Sequence, residues 1–429
     1  MKKTLPQSIQ IWLDKLRSQC SLTCRFIAFS NSKEWKFING SLCHLTNKFF
    51  SIVGIRWKKG KKICNQPIIL QTDIGTLGFL LRDKRSKKEL LIHAKVEPGN
   101  VKKVQFAPTC QATSSNIEQV HNGSKPPYSD WFENSSYICE TFQSEQGTRF
   151  FGKKNRNVLR VVSQEIPLSS AHKWISTDTI FSLIDTDFLI NTDARSVLVS
   201  SPWGKLVNRE PFTRYRTEFA NDLYNSYRFK EESGKINNIL HKLKTKQEKI
   251  NPPTIIPLTK LKEWEIKDRT IQPVQDKYFE IKQIDVEATG REVPHWDQPI
   301  IDSTTKGKVD LVCGRIQGIL HFLFKIQIEP GLYNKAELGP TYIVAPGIKS
   351  DRVKIKKDAI IRTSCNQSEE GGRFFKDTNQ YRIIDIGDNF KIKHGDIWLT
   401  LSQVQKLLLE DGWFTNEARS VLSLILQWL

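Results

Sequence analysis

Apolar and polar residues alternate at the start of residues 91–116, a pattern that is typical of a β-strand. Because the side chains of a strand point alternately to its two faces, one face is predicted to be apolar and the other ionisable. The apolar face holds Ile92, Ala94 and Val96, and the ionisable face holds His93, Lys95 and Glu97. Buried ionisable groups are costly unless they pair with one another or meet a ligand, whereas a solvated face would carry them freely. Pro98 and Gly99 are predicted to end the strand.

Two copies of this pattern occur in the chain. Residues 324–331 repeat the strand and its Glu-Pro-Gly turn at an offset of 232, and residues 143–151 return as residues 367–375 at an offset of 224. The change from 232 to 224 means that the second copy lacks eight residues after Thr341. A solvated face has no reason to keep Glu-Pro-Gly at one register in two halves that otherwise differ. The chain is therefore predicted to be an internal duplication of a large unit.

Further periodicities predict the elements around these motifs. Apolar residues at helical spacing predict an amphipathic helix over residues 8–18. Ser176 and Thr192 are predicted to cap two helices that run toward Ile184 and Leu198. Runs of β-branched and apolar residues predict strands over residues 49–56, 66–71, 77–82 and 158–162. The sequence thus predicts an α+β chain with a first domain over residues 1–214, a polar helical connector over 215–255 and a second domain over 256–429.

The composition is that of a globular protein. The chain has 429 residues, of which 38% are hydrophobic and 26% charged. It contains no run of about 18 apolar residues, so no transmembrane helix is expected, and polar residues interrupt any signal-peptide core near Met1. Its eight cysteines include no CxxC pair. We therefore expect no metal site, and free thiols in the reducing cytoplasm.

The net charge of +19 raises the question of nucleic-acid binding. The lysines are spread along the chain and often stand beside acids, with one cluster at residues 242–249. That cluster is more typical of a solvated helix face than of a binding patch. A positive field also suits a substrate that bears a diphosphate. We therefore expect neither a nucleic-acid nor a membrane partner.

Each half carries the same set of polar residues: a glutamate at the end of a strand, and a Gln-Ser-Glu motif followed by an arginine. These are Glu97, Gln143, Glu145 and Arg149 in the first half, and Glu329, Gln367, Glu369 and Arg373 in the second. Two carboxylates beside an arginine and amides suit proton transfer next to an anionic ligand. A buried structural ion-pair network would use the same residues. The chain has no P-loop, no GxGxxG after a strand, no GxSxG and no HExxH, so hydride and phosphoryl transfer are not favoured.

Several long motifs resemble the NDP-hexose 2,3-dehydratase family. In the first half the matching segments are residues 49–54, 66–67, 95–100, 107–113, 143–147 and 155–157. In the second half they are residues 291–293, 298–299, 329–331 and 367–374. The resemblance covers nearly the whole chain and is weakest between residues 215 and 255.

The resemblance implies two tandem Nudix-like domains and a homodimer. It implies a dTDP-sugar substrate, typically dTDP-4-dehydro-6-deoxyglucose, that loses water across C2 and C3. The product would be a 3,4-diketo-2,6-dideoxy sugar, which a partner NADPH-dependent 3-ketoreductase reduces. The resemblance implies no metal or redox cofactor. The Nudix hydrolase signature is absent, so metal-dependent diphosphate hydrolysis is not expected.

On the same resemblance, Glu97 and Glu145 are the acid–base candidates, with Tyr128 and His44 in reserve. Lys95 and Arg149 would polarise the C4 oxygen or bind the diphosphate. The remaining candidate substrate-binding residues are Gln111, Thr113, Asn116, Asn100, Gln143, Asn155 and Arg156 in the first half and Glu329, Gln367, Glu369 and Arg373 in the second. Which carboxylate takes the C3 proton, which base the nucleotide carries and which sugar stereochemistry is used all stay open.

The second copy departs from the family pattern at two places. Ile343 stands where the first copy has Gln111, and Gln380 stands where an arginine is expected. Both changes remove polar or charged ligand contacts. We therefore expect the first half to be catalytic and the second to hold a vestigial or binding-only pocket. An alternative is a nucleotide-sugar binding protein of the same fold that does not turn over its ligand.

Overall fold

The computed structural model describes residues 4–120, 123–133, 136–230, 233–275, 279–289, 291–303, 306–345 and 358–429. The shortened loop of the second copy falls largely outside these residues, at 346–357. Helices and strands are both abundant, as the α+β class predicts, and the strands form four sheets. Below, the first half means residues 4–206 and the second half means residues 254–429.

The strands of the first half form a large sheet and most of a small one. Their bounds are β1 Leu22–Ile27, β2 Trp35–Ile38, β3 Ser41–His44, β4 Ser51–Lys59, β5 Lys62–Leu70, β6 Gly75–Lys84, β7 Lys87–Val96, β8 Val104–Ala107, β9 Cys110–Ala112, β10 Cys139–Ser144, β11 Lys154–Val161 and β12 His172–Ser176. The large sheet has the order β10-β11-β6-β7-β12, with β9 beside β6 and β8 beside β7. Strands β6 and β11 are parallel, and their neighbours are antiparallel.

The second half repeats this arrangement strand for strand. Its bounds are β13 Thr254–Ile256, β14 Trp264–Lys267, β15 Thr270–Pro273, β16 Glu280–Ala288, β17 His295–Asp302, β18 Gly307–Ile316, β19 Ile319–Ile328, β20 Ala336–Gly339, β21 Tyr342–Val344, β22 Ile360–Ser368, β23 Thr378–Asp385 and β24 Ile397–Leu399. The large sheet has the order β22-β23-β18-β19-β20, with β21 beside β18 and β24 beside β19. Again one pair, β18 and β23, is parallel.

The two small sheets exchange their first strands. The small sheet of the first half consists of β2 to β5 and is completed by β13 of the second half, which pairs with β4. The small sheet of the second half consists of β14 to β17 and is completed by β1, which pairs with β16 over six residues. Since each exchanged strand supplies hydrogen bonds to the other half, neither small sheet is complete within its own half.

The helices fill the space between the large sheets and link the halves. Their bounds are α1 Gln7–Gln19, α2 Ser114–Ile117, α3 Thr177–Ser182, α4 Thr192–Val199, α5 Trp203–Leu206, α6 Glu218–Arg228, α7 Ser233–Glu248, α8 Leu401–Leu408 and α9 Asn416–Leu422. Helices α1, α3 and α4 confirm the predicted helices, as do α6 and α7 within the predicted connector. On α7 Lys242, Lys244 and Lys246 are exposed, as predicted for a solvated face, while Leu243 is buried. No helix of the described residues is long and apolar enough to cross a membrane.

Helices α4 and α9 pack against each other between the two large sheets. Each contributes one fully buried arginine to the contact. Arg195 donates from Nη1 to Ser423 Oγ at 3.2 Å, and Arg419 donates from Nε to Ser196 Oγ at 2.9 Å. Both guanidinium groups also donate to backbone carbonyls. Buried charges need such partners, so this contact is specific as well as apolar.

Strand β7 confirms the predicted alternation of apolar and ionisable side chains. Ile92, Ala94 and Val96 are buried in the main core. The opposite face is buried as well, because Lys95 is 6% exposed and Glu97 only 2%. The ionisable face of β7 is therefore not a solvated surface, and its groups must find partners inside the protein.

Residues 143–149 do not form one continuous strand. If they were extended, Gln143, Glu145, Gly147 and Arg149 would share one face, but β10 ends at Ser144 and the chain turns. The amide of Arg149 donates to the carbonyl of Gln146 at 3.0 Å. The turn is held by the other half, because Gly331 donates its backbone N–H to the carbonyl of Gly147 at 2.7 Å. The side chains of Glu145 and Arg149 consequently point to different regions of the protein and do not share one strand face.

Candidate active site

A cavity with two chambers opens where the two halves meet. The outer chamber has a volume of about 330 Å³ and the inner chamber about 100 Å³. The outer volume falls within the range of small-molecule sites, which begins at about 300 Å³. The chambers are continuous because they share six lining residues, namely Gln71, Thr113, Asn116, Arg291, Gly372 and Arg373. The last three come from the second half, so both halves build this cavity.

The Pro98-Gly99 turn fixes the floor of the cavity. Gly99 donates its N–H to the carbonyl of Gly371 at 2.8 Å and accepts from the amide of Lys376 at 2.9 Å. A Cβ atom on Gly99 would lie 1.6 Å from the carbonyl oxygen of Phe374. Only glycine allows this approach. The turn therefore locks the end of β7, and with it Glu97, against the second half.

Glu97 lies in the inner chamber with one oxygen held and the other open. Its Oε1 is 3.2 Å from Lys95 Nζ and accepts from Gln111 Nε2 at 3.1 Å. Gln111 is itself oriented by Asn191, which donates to its Oε1 at 2.9 Å. Within the described part of the chain, the buried Oε2 of Glu97 has no hydrogen-bond partner. An unpaired buried carboxylate oxygen is costly, and it is also what a proton acceptor for a bound substrate requires.

Glu145 enters the same chamber from the end of β10. Asn155 donates to its Oε1 at 2.6 Å, and Asn416 of the second half donates to its Oε2 at 3.1 Å. Burial raises the pKa of Glu145 to about 7, Glu370 adds to this rise, and Arg419 opposes it. Glu145 is therefore poised between its acid and its base form near neutral pH.

Three further ionisable groups line the inner chamber. Lys153 lies 3.4 Å from Asp73 Oδ1 and also donates to the backbone carbonyl of that residue. Burial lowers the pKa of Lys153, and Asp73 and Glu145 oppose this effect. Asp193 at the start of α4 is 3% exposed, and burial, followed by the charge of Glu145, raises its pKa well above the usual value. Glu370 is the third. The chamber thus concentrates carboxyl groups around two lysines.

Two arginines of the second half lie where the chambers join. Arg373 stacks over the ring of Phe50 at 4.1 Å, and its Nη2 is 3.5 Å from Gln71 Oε1. Arg291 donates to the carbonyl of Val96 at 2.9 Å. Guanidinium groups match the geometry of phosphate oxygens. This junction is therefore suited to an anionic group that links two parts of a ligand.

The outer chamber combines aromatic rings with short polar side chains. Its rings include Trp35, His44, Phe49, Phe50 and Trp296, and its polar groups include Thr113, Ser115 and Asn116. His44 accepts or donates at Nδ1 to Thr46 Oγ1 over 2.8 Å and meets the edge of Phe49. Burial lowers the pKa of His44, and Glu34 opposes this. Such a surface suits a planar base and a sugar.

Comparison with known proteins decides the family. The family model described as NDP-hexose 2,3-dehydratase matches residues 6–200 and 237–425. The chain belongs to this family. A relative from Saccharopolyspora spinosa is 31% identical over 96% of this chain and 89% of its own length. Relatives from Streptomyces violaceoruber and Amycolatopsis orientalis are 31% and 27% identical over 90% and 98% of this chain, and over 89% and 90% of their own lengths. All three are named dTDP-4-dehydro-6-deoxy-alpha-D-glucopyranose 2,3-dehydratase.

The cavity of this dehydratase-family chain brings together many of the residues that its sequence singles out. They are His44, Lys95, Glu97, Gln111, Thr113, Asn116, Glu145, Asn155 and Arg373. Arg373 was assigned to the second copy but lines the first-half cavity, because its turn crosses to the other half.

Four other predicted residues of the first half lie outside the chamber linings. Tyr128 donates to the carbonyl of Pro167 at 2.8 Å, and Arg156 donates to the carbonyl of Phe132. Asn100 has its side-chain amide 3.4 Å from the carbonyl of Lys103, which supports the Pro-Gly turn. Gln143 donates to the carbonyl of Glu410 at 3.1 Å. Each of these hydrogen bonds ties a loop or strand to a neighbouring segment of backbone.

Three of the four remaining predicted residues gather at the equivalent place in the second half. Glu329, Glu369 and Arg149 form this second cluster, since Glu417 acts electrostatically on both glutamates and Arg149 on Glu329. Gln367 lies on β22, and its amide atoms are buried without a partner in the described residues. Gln327 stands where the first cavity has Lys95, and Asp377 stands where it has Lys153. Tyr381 is aligned with Asn157, which in the first half donates to Ser196 Oγ and does not line the cavity. Tyr381, which is 1% exposed, donates to Glu369 Oε1 at 3.0 Å. The second cluster has thus exchanged two lysines for an amide and an acid.

Without those lysines, the carboxyl groups of the second cluster favour their neutral form. Burial first, then Glu417, raises the pKa of Glu329 to about 8. Burial first, then Asp377 and Glu417, raises that of Glu369 to about 8, and Glu337 reaches the same value mainly through burial. Hydrogen bonds rather than ion pairs therefore hold this cluster.

These raised pKa values predict that the protein becomes less stable as pH rises from about 5 to about 8. The folded state binds more protons than the unfolded chain in this window, because an unfolded glutamate titrates near 4.5. Each such group lowers the free energy of unfolding by up to about 1.4 kcal/mol per pH unit. Chemical denaturation at several pH values measures this slope. Glu329→Gln and Glu369→Gln are expected to flatten it, and an unchanged slope in both variants would contradict the assignment.

The sequence analysis did not identify the cavity wall that the second half supplies, and it missed several ionisable residues of the inner chamber. Lys153, Asp193, Glu370 and Arg291 line the inner chamber but were not candidates. Asp193 directly follows the predicted cap residue Thr192, and Lys153 precedes the predicted strand over residues 158–162. Glu370 directly follows the repeated Gln-Ser-Glu motif, of which only Gln367 and Glu369 were candidates. The available signal was the difference between the copies, since Glu370 is aligned with Gln146.

Proposed function

We propose that this chain removes water across C2 and C3 of a nucleotide-linked 4-keto-6-deoxyhexose, typically dTDP-4-dehydro-6-deoxyglucose, in deoxysugar biosynthesis. Family membership supports the reaction class, and the names of the relatives support the substrate. The observation that carries the proposal is the inner chamber. There a carboxylate with a free oxygen, Glu97, and a carboxyl group that titrates near neutrality, Glu145, line one small space beside two lysines.

The shape of the cavity supports one orientation of the substrate. The base and its sugar would occupy the outer chamber between the aromatic rings, and the diphosphate would lie at the junction beside Arg291 and Arg373. The hexose would then enter the inner chamber with its reacting carbons near Glu97 and Glu145. Binding energy from the nucleotide would thereby position the sugar for proton transfer.

In the proposed first step, Glu97 takes the proton from C3, which the C4 ketone acidifies. The electron pair moves to the C4 oxygen, where Lys95 or Lys153 stabilises the enolate. In the second step the enolate collapses, the C2–O bond breaks, and Glu145 gives its proton to the departing hydroxyl so that water leaves. The resulting enol becomes the 3,4-diketo-2,6-dideoxy product when C2 gains a proton and the C3 hydroxyl loses one.

The wider organisation belongs to the same proposal. The two halves would be Nudix-like domains that arose by duplication, and the identical order of strands supports this. The second-half cluster would be vestigial, which the loss of its lysines supports. A homodimer in the cytoplasm, and an NADPH-dependent 3-ketoreductase that consumes the unstable diketone, complete the proposed setting.

Proton NMR in deuterated water tests this function. Purified protein is incubated with dTDP-4-dehydro-6-deoxyglucose, a 3-ketoreductase and NADPH, and the trapped sugar is analysed. A 2-deoxy sugar with deuterium at C2 is the expected product, because C2 is protonated from a group that exchanges with solvent. Unchanged sugar together with tight dTDP binding by calorimetry would instead favour a binding protein, and unchanged sugar without binding would overturn the proposal altogether.

A further inference from the structure

Glu370 belongs to the second half but lies in the inner chamber of the first-half cavity. It follows β22 and opens the turn that docks against Gly99. The next residue, Gly371, supplies the carbonyl that accepts the Gly99 amide. Glu370 Oε1 accepts from the amide of Gly372 at 3.1 Å, which fixes the carboxyl group relative to this turn. The same backbone contact therefore brings Glu97 and Glu370, one from each half, into the lining of one chamber.

Ionisable groups from three elements face Glu370. Glu97 and Lys95 come from β7, Glu145 follows β10, and Asp193 begins α4, while Arg373 is three residues further along the same turn. Burial, and then Glu97, raises the pKa of Glu370, and Arg373 and Lys95 oppose this. Glu370 in turn contributes to the raised pKa of Glu145. Neighbouring carboxyl groups of this kind titrate as a unit and retain a proton to higher pH than either would alone.

The second half offers a natural comparison. The residue equivalent to Glu370 is Gln146, at the offset of 224. Gln146 donates from Nε2 to Glu369 Oε2, and Glu369 is the equivalent of Glu145. A side-chain amide can donate a hydrogen bond to a carboxylate but cannot exchange a proton with it. Both halves contain the glutamate of Gln-Ser-Glu, but its neighbour is a carboxyl group in the first-half cavity and an amide in the second-half cluster. Only the carboxyl group can carry a proton.

We propose that Glu370 is the proton-sharing partner of Glu145, and that this carboxyl pair holds one proton for the departing C2 hydroxyl. The inference rests on the proposed 2,3-dehydration and deepens it, since the acid of the reaction is then shared between the two halves. Glu370 is a positioning residue in this scheme, because it acts through Glu145.

The pair also closes the proton balance of the cycle. Glu97 takes the C3 proton, and the pair gives its single proton to the C2 hydroxyl as the C2–O bond breaks and water leaves. The pair is then fully ionised. When Glu97 returns a proton to C2 of the enol, the C3 hydroxyl gives its proton to the pair and becomes the C3 ketone. Each group ends in its starting state without an external acid or base.

The pH dependence of kcat tests the inference. Glu370→Gln removes the like charge and places an amide donor beside Glu145, so the alkaline limb of the profile is expected to move to lower pH. For each pH unit of this shift, activity above neutrality should fall about tenfold, while activity at low pH should approach that of the parent protein. Glu370→Asp, which keeps the carboxyl group, is expected to retain most of the parent profile.

Gln146→Glu, the reciprocal change in the second half, is the matched control and is expected to leave the profile unchanged. Circular dichroism checks that each variant is folded. A Glu370→Gln profile that coincides with that of the parent, or that is lowered equally at every pH, would overturn the inference. The parent protein distinguishes this failure from failure of the proposed function, because in the latter case it would produce no dehydrated sugar at any pH.

Discussion

Replacing Glu145 with glutamine is expected to lower kcat for dehydration by about 10²- to 10⁴-fold, the usual contribution of one general acid or base. Glutamine keeps the shape and one of the two oxygens that accept from Asn155 and Asn416, but it has no proton to give to the departing C2 hydroxyl. Glu97→Gln is expected to cause a loss of the same size by removing the base. The measurement is the rate of trapped 2-deoxy sugar at saturating substrate, with dTDP affinity determined in parallel by calorimetry.

Glu369→Gln provides the matched control, because Glu369 is the equivalent glutamate in the second-half cluster and is equally buried. It is expected to retain the parent rate. If Glu369→Gln and Glu329→Gln abolished turnover while Glu97→Gln did not, the catalytic cavity would be the one in the second half. Unchanged dTDP affinity in Glu145→Gln would show that the variant is folded and that only the chemical step is lost.

A chain that ends at residue 214 is expected to have no dehydratase activity and to unfold without a cooperative transition. It lacks β13, which completes the small sheet of the first half, and it lacks Asn416 and Glu370 in the cavity. Residues 1–214 and 215–429 produced together as separate chains are expected to associate and recover activity, because the exchanged strands and the contact between α4 and α9 join them.

Thermal unfolding monitored by circular dichroism, together with the dehydration assay, measures this result. The informative comparison is between the first piece alone and the two pieces produced together, since both contain the same Glu97 and Glu145. Cooperative unfolding and full activity of the first piece alone would show that the first half is self-sufficient, and the shared cavity would then have no functional meaning.

Local patterns predict the elements of this chain well because their causes are local. The alternation through residues 91–97 predicts β7, and the capping side chains of Ser176 and Asn191 begin α3 and α4. The second of these helices was expected to be capped one residue later, at Thr192. Such signals depend on side chains within about one turn of the element that they define.

The exchange of β1 and β13 could not be predicted in the same way. They are short strands, of six and three residues, and such short segments do not carry a pattern that specifies a partner strand. Their partners are separated from them by more than 190 residues of chain, as between Thr254 and Arg56. Pairing over such distances depends on the geometry of the whole molecule, which single-sequence patterns do not contain.

The candidate site was predicted in part for a related reason. Lys95, Glu97 and Gln111 are brought together by neighbouring strands, so their grouping follows from local order. Glu145 and Arg149 separate because a turn begins after β10, and this turn is fixed by the backbone of Gly331 in the other half. The sequence pattern predicted a separate pocket in each half. In the structure the turns cross, so each half supplies a wall to the site of the other half.

The crossing of the turns has a consequence for how the two halves evolve. If the duplication arose from a symmetric pair of identical chains, every substitution in the ancestor altered the floor of one cavity and the wall of the other at once. After fusion, each ancestral position is encoded twice, once in each half. The floor and the wall of a given cavity can then change independently, so Glu370 and Gln146 were free to diverge. On the proposal that its own pocket is vestigial, the second half is still not dispensable, since selection retains it for the wall that it lends to its neighbour.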